Sequence, residues 1–105
     1  MKIPESIRIS GVEYEIKYEE NVRIGNDLCY GSISYEDCEI KLSTTDGTNH
    51  QRRCITLLHE ILHGIRNHSG LEIENEEAIV EMFAKGLYQI LQDNGSRLFD
   101  IPEGV

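Results

Sequence analysis

Near its start the chain alternates between apolar and polar positions. In SIRISGVEYEIKYE, from Ser6 to Glu19, the apolar residues are Ile7, Ile9, Val12, Tyr14, Ile16 and Tyr18, with charges between them. Alternation with period two marks a half-buried strand, and Ser10-Gly11 interrupts it as a tight turn would, so the segment reads as a β-hairpin. After a polar stretch around Arg23 to Asp27 the alternation returns in CYGSISYEDCEIKLS, with Glu36-Asp37 as the expected turn of a second pair of short strands. The pattern predicts a small sheet of three or four strands, antiparallel or mixed. Tyr14, Tyr18, Tyr30 and Tyr35 fall in these strands and read as half-buried sheet residues.

Beyond the turn-rich segment STTDGTNHQ the period changes. Thr48, three positions before Gln51, fits a capping box, and Ile55, Leu58, Leu62 and Ile65 recur at helical spacing until NHSG, where Gly70 is a natural terminator. A first helix is expected over about residues 49–68. A second runs over about 75–92, with Ile79, Val80, Phe83, Leu87, Ile90 and Leu91 on one broad apolar face and Asp93-Asn94-Gly95 closing it. The turn between the helices is short, so the second must fold back antiparallel on the first. The expected architecture is α+β: one domain over 1–105, with a β-rich part (1–47), a helical hairpin (48–94) and a loosely held tail (95–105).

Length and composition agree with a single core: 105 residues, 39% of them hydrophobic. Ten Lys and Arg stand against 19 Asp and Glu, a net charge of -9, which repels phosphate backbones and anionic lipid; direct nucleic-acid binding and membrane binding are not expected. No apolar run is long enough to span a bilayer, and MKIPESIRIS lacks the segments of a signal peptide, so the expected compartment is the cytoplasm. Cys29, Cys38 and Cys54 are odd in number and show no CxxC spacing, which argues for small buried hydrophobes rather than disulfides or a thiolate zinc site.

The chemistry is concentrated in TLLHEILHGI, residues 56–65. On a helix His59 and His63 lie one turn apart on one face, able to put imidazole nitrogens on the same ion, while Glu60 is rotated off the metal but close to a water bound to it. This is the HExxH arrangement, in which Zn2+ lowers the pKa of its water and the glutamate removes the proton as general base. Catalytic zinc takes three protein ligands. A metzincin-type continuation is missing, since Arg66 and Ser69 stand where glycine and histidine are required, and His68 points away from His63 on a continuous helix. The better candidates are the carboxylates opening the second helix, in NEEAIVEMFA; those of Glu74, Glu76 and Glu77 that are not ligands complement the helix N-terminal dipole.

These residues also carry a family resemblance. The run from Glu77 to Ala84, EAIVEMFA, is similar to the stretch in which thermolysin-type gluzincins place their metal-binding glutamate. The blocks LLHEILHGI and NEEAIVEMFAKGLYQILQDN resemble the minimal gluzincins of phages and mobile elements, small ImmA/IrrE-like metallopeptidases in which a short sheet packs on the HExxH helix and a second helix brings the glutamate. The resemblance implies Glu77 as third ligand and gives Glu81 the task of accepting a hydrogen bond from a ligand histidine. Glu76 is the rival, because a helical wheel puts it nearer the centre of the apolar face; Glu77 is preferred because it leaves Glu81 stacked on the same side at i+4. These 105 residues are not expected to include the larger enzymes' substrate-gripping domain, and no oxyanion-stabilising tyrosine or histidine is assigned.

Two functions follow as expectations. One is a zinc metallopeptidase that hydrolyses a peptide or protein substrate, such as a regulatory protein, lying extended along an edge strand. The other is a non-catalytic, metal-stabilised acidic protein that binds a basic regulator; Glu60 argues against it, because a structural site has no use for a base.

Overall fold

The computed structural model describes residues 1–45 and 47–99. Ser10 and Gly11, both at positive φ (52° and 83°), form the two-residue turn that matches strand twist and join β1 (Ser6–Ile9) to β2 (Val12–Glu19) as the expected hairpin. The polar stretch after β2 is more than a loop: β3 (Arg23–Ile24) and β4 (Asp27–Leu28) pair as a small second sheet. β5 (Gly31–Ser34) and β6 (Glu39–Ser43) then form an antiparallel pair, as their alternation predicts. The main sheet is mixed, in the order β1-β2-β6-β5, with β6 parallel to β2 in the register Ile16 to Ile40 and Tyr18 to Leu42.

One face of this sheet is apolar and one charged. Ile9, Tyr14, Ile16, Ile40 and Leu42 are buried against Leu57 of the first helix, with Ile33 and Ile61 packed beside them. Lys17 reaches Glu39 (2.9 Å) and Lys41 reaches Glu19 (3.6 Å) among the polar residues that alternate with the core positions. The expectation of half-buried tyrosines is corrected at all four positions: Tyr14 is fully buried, its hydroxyl hydrogen-bonded with His68 Nε2 at 2.7 Å, while Tyr18, Tyr30 and Tyr35 are exposed, because no element covers them. Cys54 is buried and Cys29 and Cys38 half-buried, all three free thiols.

Helix α1 (His50–Ser69) ends at Gly70, in the left-handed region at φ 75°. Its start differs from the expected capping box. Asn49 is the cap, its side chain accepting from Arg52 N at 2.8 Å, while the Thr48 hydroxyl donates to Thr45 O in the preceding turn and accepts from the Arg53 side chain rather than from a helix backbone N–H. Two glycines bring α1 close to the sheet. A Cβ on Gly31 would stand 2.5 Å from Thr56 Cγ2 and 2.7 Å from Lys41 O; one on Gly64 would stand 2.9 Å from Ile9 Cδ1.

Helix α2 (Glu76–Asn94) lies on α1 and buries Val80 and Ala84. The two run antiparallel, since His63 meets Glu76 while His59, one turn earlier, meets Glu81. The broad apolar face predicted for α2 is only partly used: Phe83 and Ile90 remain exposed, because α2 is the outer layer and touches one neighbouring helix. Of the predicted tail at 95–105, Gly95–Arg97 forms a 3-10 turn, and residues 100–105 lie outside the described part. Among the described residues no helix is long and apolar enough to cross a membrane.

Candidate metal centre

The site forms where the middle of α1 faces the first turns of α2. The i, i+4 spacing brings the His59 and His63 rings together, Nε2 to Nε2 at 3.1 Å. The Glu77 carboxylate lies across both: Oε1 is 2.8 Å from His59 Nε2 and Oε2 is 3.0 Å from His63 Nε2. Behind the rings stand two further carboxylates. His59 Nδ1 is 3.0 Å from Glu81 Oε2, and His63 Nδ1 is 2.6 Å from Glu76 Oε2.

The rivals Glu76 and Glu77 therefore sit on different sides of the imidazoles. Their side chains diverge by the roughly 100° that separates neighbours on a helix, so Glu77 faces the paired Nε2 atoms while Glu76 reaches the back of His63. Arg66 lies alongside, its Nε 2.7 Å from Glu76 Oε1 with the N–H not aimed at that oxygen, and its Nη1 donates to Leu71 O. The hydrogen bond from His63 draws the Glu76 carboxyl below the usual carboxylate range; burial opposes this and the Arg66 charge adds to it. His68 is not at the site, as its helix position requires, and neither it nor Glu74 joins the groups described below.

Glu60 is different in kind. It is 6% exposed, and burial pushes its carboxyl up to about 7, with the His63 charge opposing and Glu77 adding. It opens on a cavity of about 480 Å³ shared with His59, His63, Glu77 and Glu81. Tyr30, Tyr35 and Arg52 also line that cavity, as does Ile24 of β3. Burial holds the Tyr35 phenol above its usual range, partly offset by the Arg66 charge. The sequence reading assigned none of these four to the site. Arg52 lies seven residues before His59, a spacing that repeats a helix face and could have pointed to it; nothing local marks the tyrosines or Ile24.

His59, Glu60 and His63 form one group that could hold a metal ion, and His59, Glu77 and Glu81 another. The donor chemistry fits a cation. With the imidazole protons on Nδ1, where Glu76 and Glu81 accept them, both Nε2 atoms are lone-pair acceptors, and they converge with the two oxygens of Glu77. Acceptors that close repel unless something positive lies among them. Two zinc bonds of about 2.0–2.1 Å at a tetrahedral angle separate their donor atoms by about 3.3 Å; the observed 2.8 to 3.1 Å is within a few tenths of an ångström of that. Comparison with protein-family models, with curated proteins and with solved structures finds no match to the chain.

Proposed function

We propose that this chain is a zinc-dependent metallopeptidase of the HExxH gluzincin type, with His59, His63 and Glu77 holding the ion and Glu60 as general base. The observation that carries the reading is the convergence of two imidazole Nε2 atoms and one carboxylate on a common point, 2.8 to 3.1 Å apart, beside a buried carboxyl held near 7. Zn2+ held there supplies Lewis acidity, acidifying a water molecule and polarising a peptide carbonyl.

The other parts of the task fall to the protein. Glu76 and Glu81 accept the Nδ1 protons of His63 and His59, which fixes the tautomers and makes the facing nitrogens better donors to a metal. Glu60 takes the proton of the attacking water and delivers it to the leaving amine; an acid near neutrality is suited to both steps. β5 is an edge strand beside α1, so an extended peptide can lie along the cleft with its main chain hydrogen-bonded to that edge. The likeness of the two helical blocks to the minimal gluzincins supports the same reading.

Metal analysis of the purified chain, followed by a peptide-library assay with and without chelator, tests it. About one zinc per chain is expected, with a shell of nitrogen and oxygen, and cleavage that stops on chelation and returns with zinc. Sulfur in the shell by X-ray absorption, or no cleavage that chelation blocks, overturns the proposal.

A further inference from the structure

The cleft has a direction and two unlike ends. β5 and α1 run the same way along it: Tyr30 meets Arg52, Gly31 meets Thr56, Ile33 meets Gly64, and the Tyr35 ring meets His68 with centroids 6.4 Å apart. His59 and His63 lie between these ends. At the Tyr30 end the Arg52 guanidinium carbon stands over the tyrosine ring, 4.6 Å from its centroid. That contact fixes a long side chain through the ring face and consumes none of its N–H groups.

Arg52 also has no counter-ion among the described residues. In a chain of net charge -9, no carboxylate among the described residues lies within 4.0 Å of it. It is the one lysine or arginine that lines the cavity among the described residues. The cavity's own acids, Glu60, Glu77 and Glu81, cluster two helical turns away. Seven residues of helix separate Arg52 from His59, a rise of about 10 Å, which an extended peptide covers in about three residues.

We propose that Arg52 binds a carboxylate of the peptide substrate, about three residues from the bond that is cleaved. The proposal rests on the peptidase reading above and names its substrate class: a peptide with an acidic side chain, or its own C-terminal carboxylate, at that distance. The selectivity is positional. A carboxylate elsewhere in the peptide meets an acidic protein, while at this one place it meets a fixed guanidinium fork suited to both its oxygens.

The test uses a set of otherwise neutral peptides in which one Glu, or Gln as its control, is moved position by position, each made with a free and an amidated C-terminus. Cleavage is measured with the zinc-loaded chain and with Arg52→Gln and Arg52→Lys, and binding by fluorescence anisotropy of the same labelled peptides on Glu60→Gln protein with and without Arg52→Gln. The wild-type chain is expected to favour Glu over Gln about three residues from the cut by roughly tenfold or more, the scale of one charge-assisted hydrogen bond. Arg52→Gln should bring that ratio to about one, and Arg52→Lys should keep part of it. A preference confined to free C-termini assigns the carboxylate to the chain end, and one that survives amidation assigns it to a side chain. A ratio near one at every position, or a preference that Arg52→Gln leaves intact, overturns the proposal. Failure of every peptide in the set, Glu-bearing ones included, to be cut is a separate result that sinks the peptidase reading, and the anisotropy ratio still decides the role of Arg52.

Discussion

Exchanging Glu60 for Gln separates the energetic cost of its carboxylate from its chemical use. In the metal-free chain burial lifts this carboxyl to about 7, against 4.5 for an ordinary glutamate. A folded-state pKa above the unfolded one means that the folded chain holds the proton more tightly, so this group's contribution to stability declines as pH rises from about 4.5 and is fully lost above about 7. The gap corresponds to on the order of 3 kcal/mol. Glutamine carries no charge at any of these pH values. Metal-free Glu60→Gln should therefore melt above the wild type at pH 8, by roughly ten degrees or more for a domain of this size, and the advantage should shrink towards nothing near pH 4.5. Thermal melts of both proteins in chelator across that range measure it, and the titrating groups that do not interact with Glu60 cancel in the difference. With zinc present the same variant should keep its metal and lose at least about a hundredfold in cleavage, the low end of general-base catalysis. A melting difference that does not change with pH refutes the buried, destabilised carboxylate. Loss of zinc from the variant makes Glu60 a ligand, and unchanged cleavage removes it from the mechanism.

Glu77→Ala should weaken zinc binding by more than about a hundredfold in titrations against a chromophoric chelator, whereas Glu76→Ala and Glu81→Ala, which remove only the partners of His63 Nδ1 and His59 Nδ1, should cost about ten- to a hundredfold each. A larger loss from Glu76→Ala reverses the assignment. Zinc affinity should fall as pH drops from about 8 to 5, because protonated imidazole cannot coordinate, and a flat titration profile contradicts histidine ligation. Gly31→Ala should lower stability by about 1–3 kcal/mol in denaturant melts, since its Cβ would press on Lys41 O, a backbone atom that cannot step aside. Gly64→Ala should be milder because the Ile9 and Ile33 side-chain tips can give way; equal effects of the two would refute the close approach of β5 to the sheet and helix at Gly31.

Local chemistry made much of this molecule readable in its sequence. The period-two run and Ser10-Gly11 specify the first hairpin, Gly70 ends α1, and the four-residue spacing of His59 and His63 puts both rings on one face before any tertiary contact exists. Each depends on neighbours in the chain, and so does the rough placing of helix ends; even so, which residue caps α1 turned on Thr48 being held in the turn before it. Other features are set by pieces far apart in sequence. That β6 lies parallel to β2, between it and β5, follows from how the intervening residues cross the sheet, and alternation is the same in parallel and antiparallel strands half-buried like these. The β3 and β4 strands are too short to have a period at all. Phe83 and Ile90 belong to the apolar face of α2 by spacing, yet their burial depends on whether another element covers them. The separation of Glu77 from Glu76 is of the same kind: a helical wheel gives directions around α2, but which direction meets the Nε2 atoms depends on how far α2 is slid and turned against α1, and packing of Val80 and Ala84 on that helix sets it. Tyr30, Tyr35 and Arg52 enter the cleft for that reason too, because only the docking of β5 along α1 brings them to one cavity.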